Sequence, residues 1–201
     1  MFQSGIGYGR GPIAPSLRMM VFVDGENLVL RYQDMLGEKS SRDDVVHEKD
    51  ILVWTPKAVD PGPHPVNIIR ASYYTYVVGD DDRVSEIASK IRGLTFPRHW
   101  ESQLPNSLFP QIFKKNNKSA NAKGVDIQLT VDILTHTYQN NLDVVYLISG
   151  DGDYLPVISE SMRNGKQVYL AALSKGLNPK LKDSVDKFIN LDTIFFKKAS
   201  D

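Results

Sequence analysis

Apolar and polar positions along the chain predict strands and helices in alternation. An unbroken apolar run from Met19 to Val23 is typical of a strand buried on both faces, as in a parallel sheet. Runs rich in β-branched, aromatic or aliphatic residues predict further strands at 67–78, 109–113, 143–150, 167–173 and 189–196. Apolar residues at helical spacing predict helices at 27–36, 81–94, 125–139, 154–165 and 178–188. Alternating elements of this kind predict an α/β fold with a mostly parallel central sheet.

The length of 201 residues suits one domain, which we place at residues 19–196. Residues 1–18 are rich in Gly and Pro and predict a flexible N-terminal arm, which can order against the domain or against a second copy of the chain in a homodimer. Two polar, Pro-containing segments at 37–65 and 97–121 have little periodicity, so we expect long surface loops there.

Composition excludes several classes of protein and site. Basic and acidic residues number 24 each, so any surface that binds nucleic acid must be local. The chain has no cysteine, which excludes disulfides and thiolate metal sites and suits a reducing cytoplasm. No apolar run approaches the roughly 18 residues of a membrane span. We therefore expect a cytoplasmic protein without a membrane partner.

Acidic residues follow two of the predicted strands directly. Asp24 ends the first strand, and Asp151 and Asp153 come just after the strand at 143–150. Asp126 lies in the first turn of the helix at 125–139, and if that helix starts at the same sheet edge, all four carboxylates converge. Such crowding raises carboxyl pKa values unless a cation balances the charges. Oxygen ligands alone suit Mg²⁺ or Mn²⁺, which can activate water and clamp phosphate oxygens.

Each acidic position also has a purely structural interpretation. Asp151 and Asp153 lie among glycines and are typical of a tight turn in which Asp153 caps the next helix. Asp126 suits the positive end of a helix dipole, and Asp24 suits a strand-to-helix turn with Asn27 as the helix cap. The metal interpretation is favoured over these structural ones because all of these acids lie at the ends of predicted strands or helices. Asp132 lies about 240° around the helix from Asp126, so we expect it to face elsewhere.

Four motifs in order along the chain resemble the NYN domain, a PIN-like nuclease family that includes LabA-type proteins. The motifs are "VFVDGEN", "KGVDIQLTVDIL", "SGDGDYLPVI" and "LSKGLNPKLKDSVDKFINLD". The resemblance implies a PIN-like (FLAP-nuclease-like) three-layer α/β/α sandwich and metal-dependent phosphodiester cleavage, usually of RNA. The implied acidic ligands are Asp24, Asp126, Asp151 and Asp153, with Asn27, Ser149 and Lys123 in supporting positions.

Basic residues cluster just before Asp126. The stretch "QIFKKNNKSANAKG" contains Lys114, Lys115, Lys118 and Lys123 and no acidic residue. These lysines can guide a phosphate backbone to the site, although a solvated loop has the same composition. The aromatic residues nearby can stack on unpaired bases or anchor the loop to the core; they are Trp100, Phe109 and Phe113.

Two other functions compete with a ribonuclease. The first is a regulatory NYN protein that binds RNA or another protein without turnover, through the long loops and the arm. The second is a phosphatase of the haloacid dehalogenase type, because "SGDGDY" also resembles the acidic loop of that family. That chemistry needs an aspartate nucleophile and a second Asp two residues after it. With Asp24 as the nucleophile, the second place is occupied by Glu26.

Overall fold

The computed structural model describes residues 16–59, 66–97, 105–115 and 123–198. The strands within these ranges are β1 (Leu17–Asp24), β2 (Val46–Glu48), β3 (Leu52–Trp54), β4 (Val66–Val78), β5 (Thr95–Pro97), β6 (Pro105–Ser107), β7 (Phe109–Lys115), β8 (Val144–Ile148), β9 (Gln167–Ala172) and β10 (Lys187–Asn190). The α-helices are α1 (Gly25–Leu36), α2 (Asp81–Gly93), α3 (Lys123–Tyr138), α4 (Leu155–Arg163), α5 (Pro179–Asp183) and α6 (Asp192–Phe195), and 3₁₀ turns lie at Pro56–Ala58 and Gly152–Tyr154.

Six strands form one parallel sheet in the order β10-β9-β8-β1-β4-β7. One face packs against α1, α2 and α6, and the other packs against α3, α4 and α5. The apolar run of β1 is buried because this strand lies in the middle of the sheet with a core on each side. This arrangement confirms the predicted α/β class and its three-layer sandwich.

The strand order reverses between β1 and β8. The chain leaves β1 for β4 and β7 on one side, then returns to β8 and continues to β9 and β10 on the other side. A reversal of this kind opens a crevice at the carboxyl ends of the two central strands, where α/β proteins bind ligands. Asp24 ends β1, and Ser149 follows β8, so both residues lie at this crevice.

The segment 37–65 was expected to be a surface loop, and this expectation is wrong for residues 51–59. Strands β2 and β3 form an antiparallel hairpin in this segment, and Leu52, Val53 and Trp54 are at most 1% exposed. The Trp54 indole N–H donates to the Thr95 carbonyl oxygen at 2.9 Å. The short apolar run within a polar segment therefore belongs to the core beneath α1.

The C-terminal elements differ from the predicted helix at 178–188 and strand at 189–196. Helix α5 ends at Asp183, β10 starts at Lys187, and α6 follows it. The main chain of Asp186 donates to the Val168 carbonyl at 3.0 Å, and its carboxylate accepts from the Val168 N–H at 2.7 Å. These bonds draw the chain into the sheet beside β9 two residues earlier than the apolar pattern suggests.

The N-terminal arm is shorter than predicted, because Leu17 and Arg18 already belong to β1. The Arg18 guanidinium is paired with Asp143 at 2.8 Å, which fixes the start of the strand against the loop before β8. Residues 1–15 of the arm lie outside the described residues. Strand β7 extends the predicted strand at 109–113 to Lys115 and forms an edge of the main sheet.

We expect Gly25→Ala to destabilise the protein by about 3 kcal/mol, because overpacking a rigid contact has this magnitude. A Cβ on Gly25 would lie 2.3 Å from a ring carbon of Tyr73 and 2.6 Å from the Tyr74 carbonyl oxygen. Gly93→Ala is the matched control, since nothing lies within 4 Å of its added Cβ. Urea unfolding of both variants measures the difference. Equal midpoints for the two variants would contradict the packing of α1 on β4.

Candidate active site

Asp24 is the buried centre of the crevice between β1 and β8. It is 3% exposed and serves as the N-cap of α1, with Oδ1 accepting from the Asn27 main-chain N–H at 3.0 Å. Its Oδ2 accepts from the Ser149 hydroxyl at 2.9 Å. Burial raises the pKa of Asp24 to about 7 against these two hydrogen bonds, and the charges of Asp126 and Asp151 add to the rise. The residue is therefore a helix cap and also a carboxyl group tuned by its surroundings.

Two hydrogen bonds hold the turn after β8 in place, and the first of them reaches the turn after β1. The Gly150 N–H donates to Oδ1 of Asn27 at 3.0 Å, and the Asp151 N–H donates to the Ser149 hydroxyl oxygen at 3.1 Å. Asn27 was considered as a helix cap, but Asp24 has that role and the Asn27 side chain links the two turns instead. Asn27 and Ser149 therefore hold the two acidic turns in register.

Asp151 and Asp153 occupy the turn that precedes α4. Asp151 caps the 3₁₀ turn at Gly152–Tyr154, and its Oδ1 accepts from the Asp153 N–H at 3.0 Å. Asp151 is half-buried, whereas Asp153 is exposed. The prediction that an aspartate of this pair caps the next helical turn is confirmed, but the cap is Asp151 and not Asp153. Asp151 is thus the member of the pair that lies closer to the floor of the crevice.

Asp126 is the fourth residue of α3 and brings a third chain segment to the crevice. Its Oδ1 accepts from the Tyr154 hydroxyl at 3.3 Å. Burial is the largest cause of its raised pKa, and the charges of Asp151 and Asp153 raise it further. For Asp24 as well, burial exceeds repulsion, so the crowding expected from the sequence is the smaller effect.

The carboxylates do not form a closed cage. Within the described ranges, no three acidic or histidine side chains are placed so that they could hold one metal ion together. Mg²⁺ keeps several water ligands and is usually bound by one or two carboxylates, which is compatible with this looser arrangement. The donor set consists of carboxylate oxygens, and both oxygens of Asp24 already accept hydrogen bonds. Asp126 and Asp151 each accept a described hydrogen bond at only one carboxylate oxygen, so the chemistry of these donors fits a hydrated divalent ion.

Sequence reasoning missed two residues beside the crevice. Tyr154 is buried, and the nearby carboxylates of Asp24 and Asp126 help burial to raise its pKa, so its hydroxyl stays protonated as a donor. Glu26 faces the Lys115 ammonium at 3.6 Å, and burial raises its pKa. Tyr154 directly follows Asp153, and Glu26 lies two residues after Asp24. This proximity is the only sign of either residue in the sequence, and it is not specific.

The predicted basic and aromatic contacts separate in the structure. Lys115 is 8% exposed at the end of β7, whereas Lys114 is paired with Asp81 at 2.7 Å. Phe113 packs against the core, and Phe109 is 45% exposed beneath the Arg70 guanidinium. Trp100, Lys118 and the side chain of Lys123 lie outside the described residues.

Asp132 makes its described hydrogen bonds to residues other than the candidate site residues. It accepts from the Tyr74 hydroxyl at 2.7 Å and from the Gln128 amide at 2.7 Å. Its partners are therefore structural, on the stretch of α3 that crosses β4. None of the helices in the described ranges combines the length and the apolar character that crossing a membrane requires.

Comparisons with known proteins identify relatives of unknown function. A model of the NYN domain family matches residues 18–192. The uncharacterized protein MJ0482 of Methanocaldococcus jannaschii is 23% identical over 118 residues, or 58% of this chain and 49% of that protein. The chain therefore spans about half the length of this curated relative. The crystal structure of VPA0982, a Vibrio parahaemolyticus protein of unknown function, has a TM-score of 0.61 and 16% identity, covering 93% of this chain and 100% of that one.

Proposed function

Because this chain belongs to the NYN domain family, whose members are nuclease-like, we propose that it is a metal-dependent ribonuclease. In this proposal Mg²⁺ or Mn²⁺ binds the acidic site of Asp24, Asp126, Asp151 and Asp153. One observation supports it most: three separate chain segments bring carboxylates to the crevice where the strand order reverses. Catalytic sites of open parallel sheets are built at this position.

Each residue of the site has a role that follows from its contacts. A bound ion would supply a water of lowered pKa and positive charge for the phosphate oxygens. Tyr154 donates to one oxygen of Asp126 and orients that carboxylate, leaving its other oxygen without a described hydrogen bond. Ser149 fixes Asp24 and the Asp151 N–H at once, so it couples the two acidic turns. Asn27 holds the main chain between them.

The substrate in this proposal is RNA, bound along the basic approach to the site. Of the two lysines in this set whose side chains are described, Lys115 is nearer to the site than Lys114, because its ammonium pairs with Glu26 in the first turn of α1 and its charge opposes the rise in the pKa of Asp126. Lys114, Lys118 and Lys123 would contact other phosphates of the strand, since lysine contacts position a strand without reading its sequence. Binding should therefore weaken as salt concentration rises.

A specific observation favours a second candidate, an NYN protein that binds RNA or a protein without cleaving it. Within the described residues, no three histidine or acidic side chains are placed to hold one metal ion, so the ion site is not closed before a ligand binds. Tight RNA binding without cleavage in Mg²⁺ and in Mn²⁺ would support this candidate. Cleavage that is lost with the variants below would exclude it.

Metal binding should stabilise the wild type more than Asp151→Asn. A ligand that binds only the folded state stabilises it by about 2.7 kcal/mol at a concentration 100 times its Kd. Thermal unfolding with and without Mn²⁺ measures this gain, and Asp82→Asn is the control because Asp82 is an exposed acid in the first turn of α2. An equal gain in the wild type and Asp151→Asn would remove the ion from this site. Cleavage of single-stranded RNA by the same preparations then tests the activity.

A further inference from the structure

A cavity of about 350 Å³ lies between α1, the end of β4 and the start of α2, and it has no role in the proposed chemistry. Its apolar lining comes from Leu30 of α1, Ile51 after β2, and Tyr76 and Val78 at the end of β4. Its charged lining comes from Lys49, Asp50 and Arg83. Cavities of this size, mostly apolar with a few polar groups at fixed positions, are typical of sites for small planar ligands.

The cavity and the acidic site lie on the same edge of the sheet. Asp24 is paired in register with Tyr74, so Tyr76 lies two residues, or about 7 Å, further along the neighbouring strand. Leu30 lies one helical turn after Glu26, on the same side of α1. Two walls of the cavity therefore lie close along the chain to the acidic site, one two strand residues beyond the level of Asp24 and one a helical turn after Glu26.

Lys115 connects the two sites. Its ammonium lies 3.6 Å from a Glu26 carboxylate oxygen and 3.2 Å from the centre of the Tyr76 ring. Tyr76 also lines the cavity, so one cation borders both the acidic crevice and the aromatic wall. A phosphate at the crevice and a planar group in the cavity would both lie next to this lysine.

The lining suits a nucleobase better than an aliphatic ligand. Leu30 is 43% exposed and Val78 is 38% exposed, and both stand beside an aromatic ring and the planar guanidinium of Arg83. Arg83 is held by ion pairs with Glu48 and Glu86, which limits its movement. Aromatic, aliphatic and guanidinium surfaces of this kind stack on bases of any sequence.

Resting on the proposed function, we propose that this cavity binds one unpaired base of the RNA strand whose phosphate lies at the acidic site. A base inside a duplex has both faces stacked and cannot enter the cavity. The substrate class is therefore RNA that is single-stranded beside the point of cleavage. Sequence preference at this base should be small, because stacking contacts do not distinguish bases strongly.

Binding of a fluorescent single-stranded RNA oligonucleotide to the full chain, in chelator so that no cleavage occurs, tests this proposal. Leu30→Gln should weaken binding about tenfold, since stacked contacts on a base have this magnitude. Val131→Gln is the matched control, because Val131 is 47% exposed on α3 and does not line the cavity; it should change affinity less than about twofold by the same reasoning. Duplex RNA of the same sequence should bind more weakly, and Leu30→Gln should not affect it.

Abasic substitutions complete the test. An oligonucleotide that is abasic at every position should bind the wild type about tenfold more weakly than the same strand with its bases, and the same substitution should cost Leu30→Gln little. Equal affinities of Leu30→Gln and Val131→Gln, or no binding of single strands by the wild type, would overturn the proposal. A Leu30 effect in a protein that cleaves nothing under Mg²⁺ or Mn²⁺ would leave the base site standing and reject the ribonuclease.

Discussion

Asp126→Asn should lower metal-dependent cleavage of single-stranded RNA by about 10²–10³-fold, the usual loss when one charge-stabilising group is removed from an active site. Asp126 accepts only the Tyr154 hydroxyl among the described contacts and caps no helix, so the fold should tolerate the change. The asparagine keeps an acceptor for Tyr154 but removes the charge that would face the ion. Single-turnover cleavage in Mn²⁺ measures the effect directly on the chemical step.

Asp132→Asn is the matched control on the same helix. Its carboxylate is also hydrogen-bonded to a tyrosine, Tyr74, but makes no described contact with the candidate site residues. Cleavage by this variant should stay within a few-fold of the wild type. If Asp126→Asn and Asp132→Asn lost activity equally, the effect would come from α3 packing and not from the site. Full activity in Asp126→Asn would mean that a contaminant cleaves the RNA.

Asp24→Asn should abolish a fall in stability that the wild type shows between about pH 4 and pH 7 in the absence of metal. The pKa of Asp24 is about 7 in the folded protein, against an ordinary value of about 3.9 in the unfolded chain. Between these values the folded state holds a proton that the unfolded state has lost. Unfolding then releases a proton, so the free energy of unfolding falls as pH rises and levels off above pH 7.

The difference between the variant and the wild type should reach about 4 kcal/mol at pH 8 and vanish near pH 4, since each pKa unit corresponds to 1.36 kcal/mol. Asparagine can still cap α1 through its carbonyl oxygen and can donate its amide to the Ser149 hydroxyl oxygen, so it replaces both hydrogen bonds of Asp24. Urea unfolding in chelator at pH 4, 6 and 8 measures the difference. A constant difference at all three pH values would show that Asp24 is already ionised at pH 4.

The two predictions concern opposite demands on the same crevice. Burial raises the free energy of ionised Asp24 when no cation is bound. In the same buried position, Ser149 bonds both to the Asp24 carboxylate and to the Asp151 main chain. Functional sites commonly reduce stability in this way, because an apolar or neutral group would be more stable at the position. A divalent ion would offset the cost by compensating the charge.

Local patterns were sufficient for most of the fold. Strand β1 was recognisable because both of its faces are buried, and β4 because β-branched and aromatic residues dominate it. The patterns failed where a short run takes part in a distant contact. An apolar run as short as Leu52, Val53 and Trp54 is too short to define an element by its pattern. These residues are buried because Tyr73 and Thr95 lie against them.

The candidate site divides in the same way. Asp24, Asp126, Asp151 and Asp153 could be chosen from the sequence because acids at the ends of parallel strands share one edge of the sheet. The contacts that tune them could not, since the Tyr154 hydroxyl meets Asp126 across 28 residues and Asn27 meets Gly150 across 123. Such pairs depend on the strand order, which the apolar pattern does not specify.

The amino-acid sequence alone determined the alternation of strands and helices, the acids at the strand ends and the likeness to NYN domains, because all three are written in short stretches of chain. Only the tertiary structure decided that Lys115 is buried between Glu26 and Tyr76, and that Tyr76 also lines a cavity with Leu30 of α1. The physical reason is that both features need β7 to lie beside β4 and α1 to cross above β1. Long-range packing sets these positions. The contacts and the burial of these side chains depend on that packing and not on the residues next to them in the sequence.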